Sequence, residues 1–379
     1  SALASGFNVF QGTWLESAGP SQIELVVLDW FREWLSYPEG AGGVLTSGGS
    51  AANLDALVAA RHHAGDPAEP VVYLSDQGHS SLERAARIVG VPAGSIRRVP
   101  TDGDFRMDLD ALGRYLREDR GRGRTPLCVC ANGGATNTGA VDPLEEMAAL
   151  CREHDVWLHV DAAYGGFAIL TEGGRRAFRG IEDADSVTLD PHKWFFQPYE
   201  TGCLMVREVA RLESAFRIFP EYLQDTELGS RHVNFGDRGL QLTRAFRALR
   251  IWMSVKTFGM GAFRAAIAEA VDLTTRAGDW IDEAPELELL SPPALGVVCF
   301  RFRLRGLGDP GTLERVNLAI QTAVVDEGTA MTSSTRLRGT YALRLCILND
   351  RTRWDDVEAT LRRIVELGRR EVDRVGDDG

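Results

Sequence analysis

Lysine occurs twice in the 379-residue chain, at positions 193 and 256, so chemistry that needs an amine has two internal candidates. Lys193 stands in Asp190-Pro-His-Lys-Trp-Phe-Phe, an extended and aromatic-rich setting. Lys256 ends the helical run LRIWMSVKTFG, an ordinary place for a cation. An amine desolvated among aromatic rings is a better nucleophile than a solvated one, which makes Lys193 the candidate for a Schiff base. The plainer reading is a structural lysine after a strand. Asp161 ends the apolar run VWLHVD, where a carboxylate needs a cationic or hydrogen-bonding partner. Two readings fit it: a helix cap or structural ion pair, and a counter-ion that keeps a heterocyclic nitrogen protonated.

Thr46-Ser-Gly-Gly-Ser-Ala-Ala-Asn53 supplies the opposite charge preference. Gly48 and Gly49 permit a tight turn with close backbone approach, and Ser50 is expected at a helix N-cap. Free N–H groups and the helix dipole there suit a phosphate, although an unoccupied turn fits the same residues. Neither the dinucleotide fingerprint nor the P-loop ending is present. Gly48-Gly-Ser50 also resembles a hydrolase elbow that lacks its last glycine. His79, in DQGHSS, precedes a helix and serves either as a cap or as a planar face for a ligand. His62, His63, His154 and His159 show no metal-ligand spacing, so no metal is expected. A phosphate nest, a counter-ion, a strand-end lysine and a planar imidazole together describe a pyridoxal phosphate site. There the lysine carries the aldehyde carbon, and the carboxylate keeps the ring nitrogen protonated so that the ring draws electrons from Cα.

The elements that must position these residues alternate regularly. Strands are expected at 42–47, 71–75, 96–100, 126–132, 156–161, 185–190 and 202–207, with helices at 20–37, 50–61, 81–89, 108–118 and 143–154. Such alternation implies an α/β fold with a mainly parallel sheet covered on both faces. Ligands of such sheets bind outside the carboxyl ends of the strands, and five of the polar clusters fall there. Residues 238–283 read as long helices with Leu242, Phe246, Leu249, Trp252 and Met253 on one face. A strand at 296–303, a helix near 312–327, a strand pair around 335–347 and a last helix from Asp355 form a small α+β unit. The expected division is an N-terminal segment and helix over 1–40, a large domain over 41–288 and a small domain over 289–379.

Composition sets the outer limits. A net charge of −12 argues against nucleic acid, and no apolar run reaches the ~20 residues of a membrane span. Six scattered cysteines form no disulfide framework, and the start lacks the pattern of a secretory signal, which together point to the cytoplasm. Cys128 and Cys130, two apart in a strand, are expected to point the same way into the core.

TSGGSAANLDAL, DQGHSSLERAARIVG, VWLHVDAAYGG and DPHKWFF together resemble the group II pyridoxal-phosphate-dependent amino acid decarboxylases, over about 12–362. FPEYLQDTE and FGDRGLQLTRAFRALRIW are similar to the bacterial aromatic-type branch. The resemblance implies the fold type I, aspartate-aminotransferase-like large domain and a small C-terminal domain. It implies that Lys193 holds the cofactor, Asp161 pairs with its ring nitrogen, Ala163 lies on one ring face and His79 stacks on the other, near the substrate carboxylate. Gly49, Ser50 and Thr136 would contact the cofactor, with Asp190 and His192 at its phosphate end. Relatives often carry Asn or Ser at position 190, and a carboxylate there would repel phosphate. Tyr222 matches a mobile-loop tyrosine that returns a proton to Cα after CO₂ leaves, and its presence favours an amine product over an aldehyde.

The resemblance also implies a homodimer with the active site at the subunit interface, and relatives carry a further N-terminal segment that the sequence given does not include. Phe10, Trp194, Phe195, Phe196 and Tyr199 suit an aromatic substrate or else a core, and Thr243 would narrow the pocket. No dedicated arginine for a side-chain carboxylate can be assigned. The competing readings are decarboxylation of glutamate or diaminobutyrate, aldehyde-forming oxidative deamination, a serine hydrolase using Ser50, and a non-catalytic relative that binds cofactor only.

Overall fold

The structure is a computed structural model that describes residues 2–218, 232–303 and 309–377. Its contacts divide the chain into a unit of residues 1–135 and 141–264 and a unit of 136–140 and 265–379. That division falls inside the helix Ala248–Glu283, whereas the sequence places a boundary near 285–292.

The first unit is built on seven strands: β1 (Gly42–Thr46), β2 (Pro70–Ser75), β3 (Ile96–Val99), β4 (Thr125–Asn132), β5 (Trp157–Asp161), β6 (Ser186–Leu189) and β7 (Gly202–Val206). Their spatial order is β1-β7-β6-β5-β4-β2-β3. From β3 to β6 all pairings are parallel, and β7 is antiparallel to both β6 and β1. The exception has a local cause, because the connection from Leu189 to Gly202 holds no crossover helix to carry the chain back for a parallel return. As a result β1, β2, β4, β5 and β6 end at one edge, where β7 begins. Almost every strand residue is buried, as expected for a sheet covered on both faces. Helices Gly49–His63, Ser80–Ile88, Leu109–Gly121 and Leu144–Glu153 lie within two or three residues of expectation.

Two expectations require correction. Ser50 does not cap its helix: Gly48 is the N-cap, and its carbonyl accepts from Ala51 and Ala52 N–H, leaving Ser50 exposed in the first turn. Beyond a 3-10 turn at Phe235–Arg238, residues 239–247 are not helical. The helix begins at Ala248, Leu242 is exposed, and the side chains of Arg238, Arg244 and Arg247 are buried instead. Arg244 explains why the backbone departs from a helix there. It reaches Glu24 at 2.6 Å and the carbonyls of Gln11 and Leu45.

Glu24 belongs to the helix Trp14–Trp34, which starts earlier than the expected 20–37. Ser17 interrupts that helix with φ −151°, so Pro20 falls in a first turn, where its missing N–H costs no ladder bond. The buried Glu24 carboxylate also accepts from Gln11 Nε2 at 2.7 Å and from the Leu45 N–H of β1 at 2.9 Å. One ion pair thus ties the N-terminal segment, the first helix and β1 to the approach of the long helix.

The second unit holds a four-stranded antiparallel sheet, β8 (Leu287–Leu289), β9 (Val297–Phe302), β10 (Ser333–Leu337) and β11 (Thr340–Cys346), in the order β10-β11-β9-β8. Helices Pro310–Asp326 and Trp354–Asp377 complete it. Asp309 caps the first of these by accepting from Thr312 N–H at 2.8 Å. Asn317 binds that helix to β9, accepting from Phe302 N–H at 2.7 Å and donating to its carbonyl at 2.9 Å. Among the described residues, no helix is long and apolar enough to cross a membrane.

Candidate active site

The insertion of β7 between β1 and β6 sets the loop after β1 against the loop after β6. A Cβ on Gly202 would stand 2.4 Å from Gly48 Cα, so the two backbones touch and only glycine fits. A Cβ on Gly49 would lie 3.0 Å from Ala163 Cβ and 3.1 Å from Asp190 Oδ2, and one on Gly48 would lie 3.2 Å from His192 Cε1. Four of the sequence-selected residues, Gly49, Ala163, Asp190 and His192, therefore surround one turn. With glycine at the N-cap, the Gly49 and Ser50 N–H groups have no capping side chain.

Lys193 Nζ lies 3.0 Å from Asp190 Oδ2 and is about one-third exposed. His192 Nε2 is 3.5 Å from the same oxygen, while its Nδ1 accepts from Thr201 N–H at 3.2 Å. Burial pushes Asp190 above the ordinary carboxylate range, although Lys193 and His192 pull it back. Burial also pushes His192 down against the attraction of Asp190.

Asp161 takes its hydrogen bonds from neutral groups. Asn53 Nδ2 donates to Oδ2 at 2.9 Å, and Ala163 N–H donates to Oδ1 at 3.2 Å. The capping reading of His79 also holds, because its Nδ1 accepts from Ser81 N–H at the start of the helix Ser80–Ile88. The ring itself remains exposed. Capping thus anchors one ring nitrogen and leaves the rest of the imidazole accessible.

A buried polar stripe lies behind these groups, and the sequence reading did not single it out. Alternate residues of β5, Trp157, His159 and Asp161, share a face with Ser186 and Thr188 of β6, and Asn53 meets them from its helix. His159 Nδ1 and Trp157 Nε1 both reach Ser186 Oγ at 2.8 Å, and Thr188 Oγ1 donates to Asn53 Oδ1 at 2.7 Å. Burial pushes His159 down to about 4. The signal was present: polar residues at period two inside the apolar runs VWLHVD and DSVTLD, and an asparagine on the buried side of an alanine-rich helix.

Other selected residues sit elsewhere. Trp194 and Phe195 are core, and Phe195 stacks on Phe167 and Phe263. Tyr199 is exposed, with its ring centroid 4.6 Å from that of His192. Lys256 is exposed beside Trp252. Thr136 clusters with the second unit, where its carbonyl accepts from Arg344 at 2.7 Å. Tyr222 lies outside the described residues. Cys128 and Cys130 are buried side by side, with sulfurs 3.8 Å apart.

The residues present fit pyridoxal phosphate. A glycine turn with free N–H groups suits its phosphate, a strand-end amine suits its aldehyde carbon, and an oriented carboxylate suits its ring nitrogen. The cradle is space that a Cβ on Gly49 would fill, whereas the buried Asp190 Oδ1, without a partner among the described residues, is an acceptor that a phosphate does not satisfy. A mainly parallel sheet with this set at its carboxyl edge defines a pyridoxal-phosphate enzyme.

The profile for the pyridoxal-dependent decarboxylase conserved domain matches residues 2–303. The chain belongs to that family. It is 43% identical to an aromatic-L-amino-acid decarboxylase of Bacillus atrophaeus over 96% of this chain and 77% of the relative. The crystal structure of Oryza sativa TDC with PLP and tryptamine superposes with a TM-score of 0.92 at 28% identity, covering 97% of this chain and 80% of that one. Catharanthus roseus tryptophan decarboxylase in complex with L-tryptophan gives 0.89 at 28% identity, covering 98% and 80%. The chain is thus a pyridoxal-phosphate-dependent carboxy-lyase of the α/β fold expected, with its small antiparallel domain.

Proposed function

We propose that the substrate is an aromatic L-amino acid, released as its amine and CO₂. The observation that carries the site assignment is the meeting of Lys193, Asp190, Gly49 and Ala163 around one turn. The substrate class is supported by the aromatic-L-amino-acid decarboxylase at 43% identity. When bound, pyridoxal phosphate supplies an electron sink for the bond between Cα and the carboxylate.

The protein's own residues do the rest. Lys193 would hold the cofactor through its amine until substrate takes that place. Gly49 and Ser50 N–H groups would bind phosphate, with His192 beside them. Asp161 would hold a proton on the ring nitrogen, its orientation set by Asn53 and Ala163 N–H. His79, anchored through Nδ1, would offer its open ring face and Nε2 to the ligand. Tyr222 would return a proton at Cα.

We further propose a homodimer in the cytoplasm. Phe7, Leu15, Leu240 and Leu242 are 81, 71, 68 and 66% exposed, an apolar surface suited to a second copy. No disulfide links any of the six cysteines, all of which lie among the described residues, and this suits a reducing compartment.

The test has two readouts. Borohydride treatment of cofactor-saturated protein should leave a pyridoxyl mark on Lys193 by peptide mass spectrometry. CO₂ release should be greatest with DOPA, tyrosine, tryptophan or phenylalanine in a panel that includes glutamate and diaminobutyrate. Preference for an acidic or diamino substrate would overturn the aromatic reading, and aldehyde with ammonia and peroxide would overturn plain decarboxylation.

A further inference from the structure

We propose that His159, Asn53 and Ser81 form a one-way chain of hydrogen-bond donors that sets the tautomer of His79, so that Nδ1 accepts and Nε2–H is the ring's free polar group. The consequence for catalysis rests on the reading of His79 given above, whereas the chain itself is geometry.

Direction is set by Asp161, whose carboxylate Oδ2 accepts, so the atom of Asn53 at 2.9 Å from it is the amide nitrogen. The Thr188 hydroxyl, donating to Asn53 Oδ1 at 2.7 Å, agrees. Asn53 Oδ1 also faces His159 Nε2 at 3.1 Å, so the neutral His159 ring carries its proton on Nε2. Its Nδ1 is left to accept, at 2.8 Å, the single hydrogen of Ser186 Oγ, which itself accepts from Trp157 Nε1 at 2.8 Å.

The second amide hydrogen of Asn53 goes to Ser81 Oγ at 3.0 Å. Ser81 therefore has its own hydrogen free for His79 Nδ1, only 2.7 Å away, and its backbone N–H adds a second donor at 3.3 Å. Two donors converge on Nδ1. The neutral ring then keeps its proton on Nε2, a donor suited to a carboxylate on the ligand. Every member except His79 is buried, so water does not compete for these hydrogens. His159, pushed down to about 4 by burial, has one ring hydrogen near neutral pH and not two.

Asn53 is thus a positioning residue for two groups at once. One of its amide hydrogens orients Asp161, and the other sets the Ser81–His79 arm. Neither Asn53 nor Ser81 needs to touch the ligand to do so.

Ring-nitrogen NMR on the cofactor-loaded chain labelled with ¹⁵N-histidine tests this. The neutral form of His79 is expected as a single tautomer with unprotonated Nδ1, and His159 as the same tautomer without titration near neutral pH. Asn53→Asp offers Ser81 an acceptor, draws its hydrogen away from His79, and should move the His79 proton to Nδ1 while kcat falls about tenfold or more. Ser81→Ala should shift the His79 Nδ1 resonance and lower kcat about tenfold, and Ser81→Thr, which keeps the hydroxyl, should restore both. Circular dichroism checks that each variant folds; if Asn53→Asp does not, the Ser81 pair decides alone. A neutral wild-type His79 ring with its proton on Nδ1, or a resonance that ignores the folded variants, overturns the proposal. The expected tautomers in a protein that releases no CO₂ support the chain and count against the functional reading alone.

Discussion

Lys193 Nζ and Asp190 Oδ2 lie 3.0 Å apart, and the second Asp190 oxygen is buried without a partner among the described residues. The lysine that would hold the cofactor is thereby paired with a carboxylate at the edge of the glycine turn that would hold its phosphate. Burial raises Asp190, and a raised carboxyl contributes stability that is present below its unfolded pKa and lost as pH rises through the folded one. Asp190→Asn escapes that loss. Its urea midpoint should therefore gain on the wild type as pH rises from acid to neutral, and a constant difference would refute the burial argument. Removing a negative charge from the cradle should also tighten pyridoxal phosphate binding about tenfold in a fluorescence titration.

His159 works in the other direction. Its folded pKa is pushed down to about 4, so the neutral ring contributes stability that is present above the unfolded value and lost as pH falls towards the folded one. The loss between about pH 6.5 and about pH 4 is on the order of 3 kcal/mol. His159→Asn, measured by urea unfolding across that window, should show a shallower decline than the wild type. An equally steep decline would place the acid sensitivity elsewhere.

The Glu24–Arg244 pair is fully buried and carries further bonds to Gln11 and Leu45. Removing one partner leaves an uncompensated charge, so Arg244→Met should cost about 3–5 kcal/mol by urea denaturation. Replacing both, as Glu24→Leu with Arg244→Met, should cost less than the single change. If the double variant is the less stable, the pair contributes more than its desolvation penalty.

Gly49→Ala tests the cradle sterically. The new Cβ would meet Ala163 Cβ at 3.0 Å and Asp190 Oδ2 at 3.1 Å, so neighbours must give way. Overpacking of this size costs about 1–3 kcal/mol, and pyridoxal phosphate affinity should fall about tenfold or more. Unchanged affinity in a folded variant would move the phosphate site away from this turn.

Much of this is legible in the sequence. Alternating short apolar runs and helices required a parallel sheet, and a parallel sheet sends the residues that follow its strands to one edge. Residue type and spacing alone single out Lys193, Asp161, His79 and the glycine turn as candidates. The polar stripe was legible too, as period-two polarity in β5 and β6, but a strand pattern does not say what meets its face. The run 238–247 looked helical because its apolar spacing fits a helix, yet the buried contacts of Arg244 outweigh local preference.

Sheet order belonged to the tertiary structure. Nothing in the local sequence places β7 between β1 and β6, yet that insertion presses Gly48 on Gly202 and seats Gly49 against Ala163 and Asp190. Likewise Asn53 joins Asp161 across 108 residues and Thr188 across 135. Residue type and periodicity are local properties and were readable directly. Pairings between distant segments depend on the packing of the whole sheet, which decides them only when the chain closes on itself.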